Sequence, residues 1–157
     1  MKKTISIVTT FRNEELVIPE FVRRIQSVMA LLKQYEFELL FVDDDSSDDS
    51  LRVLEELRKN DPRIKILLTS PRFGVYACLI AGLEHASGDA VIYIETDLQD
   101  PPELIPRLLE KWESGADVVY TTRTERLGEN RIKMLLTSLA YKIIDFASEV
   151  PIPINSG

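Results

Sequence analysis

Ala90-Val91-Ile92-Tyr93-Ile94 runs directly into Glu95-Thr96-Asp97-Leu98-Gln99-Asp100-Pro101-Pro102-Glu103, an apolar stretch that ends in an acidic turn. The apolar residues are mostly β-branched or aromatic and suit a buried strand. Pro101 and Pro102 suit the opening of a helix, where a fixed φ and a missing N–H cost nothing. A strand that hands an acidic turn to a helix is a unit of an α/β fold. If the turn stays extended, residues two apart project to one side, so Glu95, Asp97 and Gln99 present two carboxylates and an amide carbonyl together. That set suits a hard cation, because Mg²⁺ and Mn²⁺ take oxygen donors and commonly share one or two carboxylates with substrate phosphates. The same acids suit a second reading, in which they solubilise a loop and cap the helix opened by Pro101, Pro102 and Glu103.

Working outward, the alternation repeats. Ile5 to Thr10 is a β-branched run that predicts a first strand. Ile18, Phe21, Val22, Ile25, Val28, Met29 and Leu32 recur at three- and four-residue steps and predict an amphipathic helix with Pro19 in its first turn. The link from Thr9 to Glu14 therefore falls at the carboxyl end of a strand, where open α/β sheets place ligands, and is a candidate nucleotide loop. Phe37 to Val42 predicts a second strand, which enters Asp43-Asp44-Asp45-Ser46-Ser47-Asp48-Asp49-Ser50. Ser46 or Ser47 is expected to cap the next helix, with Asp48 and Asp49 at the favourable end of its dipole. Asp43 to Asp45 are not explained that way. Crowded like charges need a cation or a donor nearby, so a base edge or a metal-nucleotide is one partner and a solvated acidic turn is the other reading.

Leu51, Leu54 and Leu57 mark the next helix, closed by Asp61-Pro62 before a strand at Ile64 to Leu68. Ser70 to Gly74 makes a turn, and Ala77 to Ala86 predicts a small-residue helix able to pack closely on a sheet, stopped by Gly88. Leu104, Ile105, Leu108, Leu109 and Trp112 predict a further helix ended by Ser114-Gly115, and Asp117 to Thr122 predicts a strand. Arg123, Arg126 and Arg131 bracket a loop containing Gly128, beyond which Ile132, Leu135, Leu136, Leu139, Ile143 and Phe146 predict a last apolar helix. Those arginines suit phosphate oxygens, or stand as exposed charges flanking the helix. Strands alternating with helices predict a mainly parallel α/β sheet covered on both faces.

Composition removes several function classes. A chain of 157 residues fits one domain with a real core. Cys78 is the one cysteine, so no internal disulfide forms, and its apolar helical setting reads as a small buried hydrophobe. A net charge of -7 opposes attraction to nucleic acid. Arg12 to Glu15 ends the first apolar stretch too early for a signal peptide, and no run reaches the length of a membrane span, so the chain reads as cytoplasmic. His85, at the tail of a helix, has no matched nucleophile or ligand set. Neither GxGxxG nor a Walker phosphate loop is present, which argues against a dehydrogenase or a P-loop NTPase.

Five segments together resemble the family 2 glycosyltransferases: Ile7 to Glu15, Val42 to Asp48, Phe73-Gly74 with Ala81-Gly82-Leu83, Asp97 to Glu103, and Thr122-Arg123. The likeness covers nearly the whole chain and is nearest to the branch with dolichol-phosphate mannose synthase and bacterial undecaprenyl-phosphate glycosyltransferases. It implies a GT-A fold, a nucleotide-sugar donor, Mg²⁺ or Mn²⁺, and an inverting transfer onto a polyprenyl phosphate at the cytoplasmic face of a membrane. UDP sugars are expected ahead of GDP-mannose. Thr10, Phe11, Glu14 and Asp44 match positions that hold the donor's base and ribose. Glu95, Asp97 and Gln99 match the metal-diphosphate positions, and Arg123 and Arg131 match basic positions suited to the donor's phosphates. Asp97 and Arg123 are the residues to which the resemblance assigns catalysis.

The resemblance also marks departures. Glu95 stands where Asp is usual, and the Phe73-Gly74 turn is flanked by Arg72 and Val75 rather than Asn and Lys. Asn155-Ser156-Gly157 resembles the start of an acceptor-side motif that continues in relatives into amphipathic or membrane-spanning helices. The chain is thus expected to be the donor-binding domain of a longer enzyme, and the apolar face of Leu135 to Phe146 to recruit a membrane, a partner or another copy. A glycosyltransferase acting on a cell-surface glycan, and a nucleotide-sugar-binding module without turnover, are the alternatives.

Overall fold

The computed structural model describes residues 2–121. Contacts divide the chain into two units, Met1–Glu110 and Lys111–Gly157. In the first unit, strands β1 (Lys3–Phe11), β2 (Tyr35–Asp43), β3 (Ile64–Leu68) and β4 (Ala90–Tyr93) alternate with helices α1 (Ile18–Leu31), α2 (Ser50–Asn60) and α3 (Val75–His85). A 3-10 turn at Pro102–Leu104 leads into α4 (Ile105–Glu113). The strands lie in the order β3-β2-β1-β4 and pair in parallel. Chain order therefore runs outward from β1 through β2 to β3, then jumps back to place β4 on the other side of β1. Such a reversal opens a crevice at the carboxyl ends of the two strands where it occurs, here β1 and β4.

Alternation along the strands builds a core on each face. Phe41 meets Phe21 of α1 and Phe11 edge-on, with ring centroids 6.1 and 6.3 Å apart. Val8 and Val42, one residue out of step with that set, face Gly82 of α3, where an added Cβ would collide with Val8. The small residues of α3 thus permit the close approach that the sequence predicts. Pro19 sits in the first turn of α1, whose buried face is Ile18, Phe21, Val22, Ile25, Val28 and Met29. Cys78 is fully buried, and His85 Nδ1 lies 2.8 Å from the carbonyl of Ala81 at the end of α3.

Two expectations fail. Ser46 and Ser47 do not cap α2, which begins at Ser50 with Asp49 in the N-cap position and no side-chain cap bond. Both serines are instead engaged across the loop with Asn13, as described below. The strand expected over Asp117 to Thr122 is absent over residues 117–121, which carry no ladder pairing among the described residues, while Thr122 lies outside them. The second unit begins within α4, whose end is closed by Gly115 N donating to Trp112 O at 2.9 Å, with Gly115 at φ 102°. The expected helix from Ile132 to Phe146 lies outside the described residues. No described helix is long and apolar enough to cross a membrane.

Candidate functional site

Thr10, Phe11, Arg12, Glu14, Asp44, Arg72, Gly74, Val75, Glu95, Thr96 and Asp97 line one cleft of about 240 Å³. It opens at the carboxyl end of the sheet, against β1 and the segment after β4. The loops that build it are stiffened by hydrogen bonds between them. Asn13 N donates to Ser46 Oγ at 3.0 Å, and Ser47 N donates back to Asn13 Oδ1 at 2.8 Å. Glu14 N donates to Ser50 Oγ at 2.7 Å, and Glu15 N to Asp48 Oδ2 at 3.2 Å. Asp49 N closes the zipper on Glu15 Oε2 at 2.9 Å. Asn13, Asp45 and Leu98, one in each of three loops, adopt positive φ of 57°, 61° and 62°. Asn and Asp tolerate that region, whereas a bulky Leu is strained there.

The crowded carboxylates after β2 find internal partners. Ser46 N and Oγ both donate to Asp43 Oδ1, at 3.0 and 2.5 Å. Asp44 accepts from Phe73 N at 2.8 Å and Gly74 N at 3.0 Å, and Arg72 Nε stands 3.6 Å away. Burial pushes the Asp44 carboxyl up, but the amides of Gly74 and Phe73 outweigh it and leave the group below its ordinary value. Asp44 therefore fixes the turn ahead of α3 as well as lining the cleft. Arg12 Nε donates to Asp44 O at 3.1 Å and brings a second guanidinium to the same wall.

The lining also carries the carboxylates of Glu14, Glu95 and Asp97. Tyr93 hydroxyl lies 3.1 Å from Thr10 Oγ1 and donates to Glu95 Oε1 at 3.3 Å. Gln99 N donates to Asp97 Oδ1 at 3.0 Å. Desolvation, with the charges of Asp97 and Asp48, raises the Glu14 carboxyl above its ordinary value. None of Glu14, Glu95 and Asp97 has an ion-pair partner among the described residues. Nor, among those residues, do three His, Cys, Asp or Glu side chains gather closely enough to hold a metal ion. Such a corner fits a cation that keeps waters and completes its shell with diphosphate oxygens, as Mg²⁺ does, and does not fit a closed protein cage.

Of the residues singled out from the sequence, Thr10, Phe11, Glu14, Asp44, Glu95 and Asp97 lie together on the cleft. Gln99 is not among its lining. The extended geometry expected for Glu95 to Gln99 gives way to a turn over residues 96–100, in which Leu98 takes a left-handed conformation and breaks the two-residue alternation. Arg123 and Arg131 lie outside the described residues. Sequence reasoning did not single out Arg12 and Thr96 as site residues, and it named Arg72, Gly74 and Val75 only within the turn that departs from the family pattern. Arg12 was within reach, since it sits inside the candidate nucleotide loop and is a cation in an acidic protein.

Residues 6–157 match the glycosyl transferase family 2. The chain is 43% identical over 152 residues to the uncharacterised glycosyltransferase YkcC of Bacillus subtilis, covering 97% of this chain and 47% of that protein. It is 41% identical over 153 residues to the bactoprenol glucosyl transferase of Shigella phage SfV, covering 98% of this chain and 50% of that protein. It superposes on glucosyl-3-phosphoglycerate synthase from Mycobacterium tuberculosis, solved with Mn²⁺, UDP and glucosyl-3-phosphoglycerate. There the TM-score is 0.61 and the identity 26%, over 92% of this chain and 50% of that one. The chain spans about half the length of the curated relatives it matches. Its parallel sheet and helices are those of a GT-A glycosyltransferase, and the chain belongs to glycosyl transferase family 2.

Proposed function

We propose that residues 1–157 form a single nucleotide-sugar-binding domain of an inverting glycosyltransferase that moves a sugar from a nucleotide donor to a polyprenyl phosphate. The observation that carries this reading is the cleft at the β1/β4 reversal, which combines a wall bearing Arg12 and Arg72 with an acidic corner at Glu14, Glu95 and Asp97. Thr10, Phe11, Glu14 and Asp44 take the base and ribose. Glu95, Asp97 and Gln99 would hold Mg²⁺ or Mn²⁺ for the diphosphate, and Arg123 and Arg131, which lie outside the described residues, match basic positions suited to its oxygens. A divalent cation bound there neutralises charge on the departing nucleoside diphosphate. Asp97 would serve that leaving group by holding the cation, and the family resemblance assigns Arg123 to its charge.

The acceptor follows from chemistry as well as likeness. A phosphate is already anionic near neutral pH, so positioning for in-line attack outweighs the need for a strong base. The name of the Shigella phage relative supports a lipid acceptor and a glucosyl group. The UDP held by the mycobacterial structure supports a UDP sugar ahead of GDP-mannose. The reaction then belongs at the cytoplasmic face of a membrane. The test gives the protein UDP-glucose, Mn²⁺ and polyprenyl phosphate. A lipid-linked glucose of inverted anomeric configuration is expected, with a loss of at least roughly a hundredfold in Asp97→Ala. A retained configuration, or transfer to a glycan in preference to the lipid, contradicts the proposal.

A further inference from the structure

We propose that Arg24 is a positioning residue, which holds the acidic turn at residues 95–100 in place by gripping Glu103 from α1. Arg24 Nε donates to Glu103 Oε1 at 2.9 Å and Arg24 Nη2 donates to Glu103 Oε2 at 2.5 Å. This is the two-pronged guanidinium–carboxylate geometry that adds orientation to charge. The pair joins residues 79 apart in sequence, and the Arg24 side chain is only 23% exposed. The neighbouring Arg23 is already committed to Glu20 through two bonds of 2.7 Å, so the two arginines serve different carboxylates.

The placement of the pair gives it a task. Arg24 rides on a helix anchored by the buried Phe21, Val22, Ile25 and Val28, with Phe21 and Val28 one turn away on either side of it, so its base is rigid. Glu103 lies in the 3-10 turn just past the acidic stretch, beside the buried Pro102. At the near end of that stretch, Ile94 N donates to Val8 O at 3.1 Å and ties it to β1. The turn between carries Asp97 and the strained Leu98, and is thereby fixed at one end by the sheet and at the other by Arg24. A residue held at positive φ persists only where its surroundings over-determine it, and the bidentate pair supplies that constraint. Arg24 is not part of the cleft lining, so it acts through the turn and does not touch the donor. The consequence for metal and nucleotide rests on the function proposed above, whereas the clamp itself does not.

The test is hydrogen exchange at the amides of residues 95–100 in the 157-residue chain without ligand, on wild type, Arg24→Gln, Glu103→Gln, Arg24→Lys and the swap Arg24→Glu/Glu103→Arg. Exchange in the turn is expected to quicken about tenfold in the two Gln variants while β1 and β2 keep their protection, as one lost charge-assisted pair allows. The swap restores the wild-type rate, and Lys, which keeps the charge without the fork, falls between. The affinity for Mn²⁺ with UDP, read by calorimetry, falls in step. Unchanged exchange in the turn, or equal quickening across the whole sheet, overturns the proposal. If exchange responds as expected while the wild type binds no Mn²⁺ with UDP, the clamp stands and the donor-site reading falls.

Discussion

Thr9 and Glu38 lie on adjacent strands, both buried, and their hydrogen bonding sets them apart. Thr9 Oγ1 has no partner among the described residues. An orphaned buried hydroxyl costs free energy that an isosteric methyl avoids, so Thr9→Val is expected to raise stability by about 1 kcal/mol. A urea titration reads it, and a loss of stability would mean the hydroxyl has a partner. Gly88 is constrained in the other direction. An added Cβ would sit 2.6 Å from Ser6 Oγ and 2.8 Å from both Ser6 N and Thr4 O, and backbone does not yield as a flexible side chain does. Gly88→Ala is expected to cost roughly 2 kcal/mol through overpacking, again read as a shifted urea midpoint. At this scale the sequence was informative about identity and poor about geometry. Gly88 reads as a helix stop, yet its reason is the contact with β1, and nothing in Leu98 announces a left-handed backbone.

At the scale of the element, Glu38 binds the link between α3 and β4 to the middle of the sheet. Its carboxylate accepts from Ser6 Oγ at 2.5 Å, Ser87 N at 2.6 Å and Ser87 Oγ at 3.0 Å, and pairs with Lys65 on β3. Burial pushes the carboxyl up, but Lys65 and the Ser6 and Ser87 donors prevail and bring it from 4.5 to about 2. A carboxyl depressed on folding contributes stability that is complete above its unfolded value and is lost as pH falls toward the folded one. That contribution is therefore lost between about pH 4.5 and about pH 2. It amounts to roughly 3 kcal/mol at most. Glu38→Gln is expected to be less stable at neutral pH and to show a flatter acid limb, measured as urea midpoints along a pH series; parallel limbs would contradict the assignment. Element positions were legible because hydrophobic period tracks burial, as the matches of β1, α1, β2 and β3 illustrate. The start of α2 was not. Ser46 and Ser47 have the chemistry of caps, but Ser46 turns its amide and hydroxyl back to Asp43 and accepts from Asn13 N, while Ser47 donates to Asn13, 34 residues away, and such a distant partner leaves no local trace.

At the scale of the molecule, the sheet brings loops from distant parts of the chain to one end, and only strand order shows why. Alternating strands and helices foretell a parallel sheet, whereas the reversal between β1 and β4 is a tertiary choice the periodicity does not encode. The acidic turn and the first loop were visible as a candidate site because open sheets carry ligands at their carboxyl ends. Arg72 and the Asp44 tie to Gly74 were harder to see, since they depend on how α3 folds back over β2. If the cleft is the metal-dependent donor site proposed above, Asp97 is the residue to remove. Calorimetric titration of UDP and GDP, with and without Mn²⁺, on wild type and Asp97→Ala of matched thermal midpoint tests it directly. The expected result is UDP binding that requires Mn²⁺, exceeds that of GDP and disappears in Asp97→Ala. UDP binding of equal strength without the metal and in the variant would contradict it.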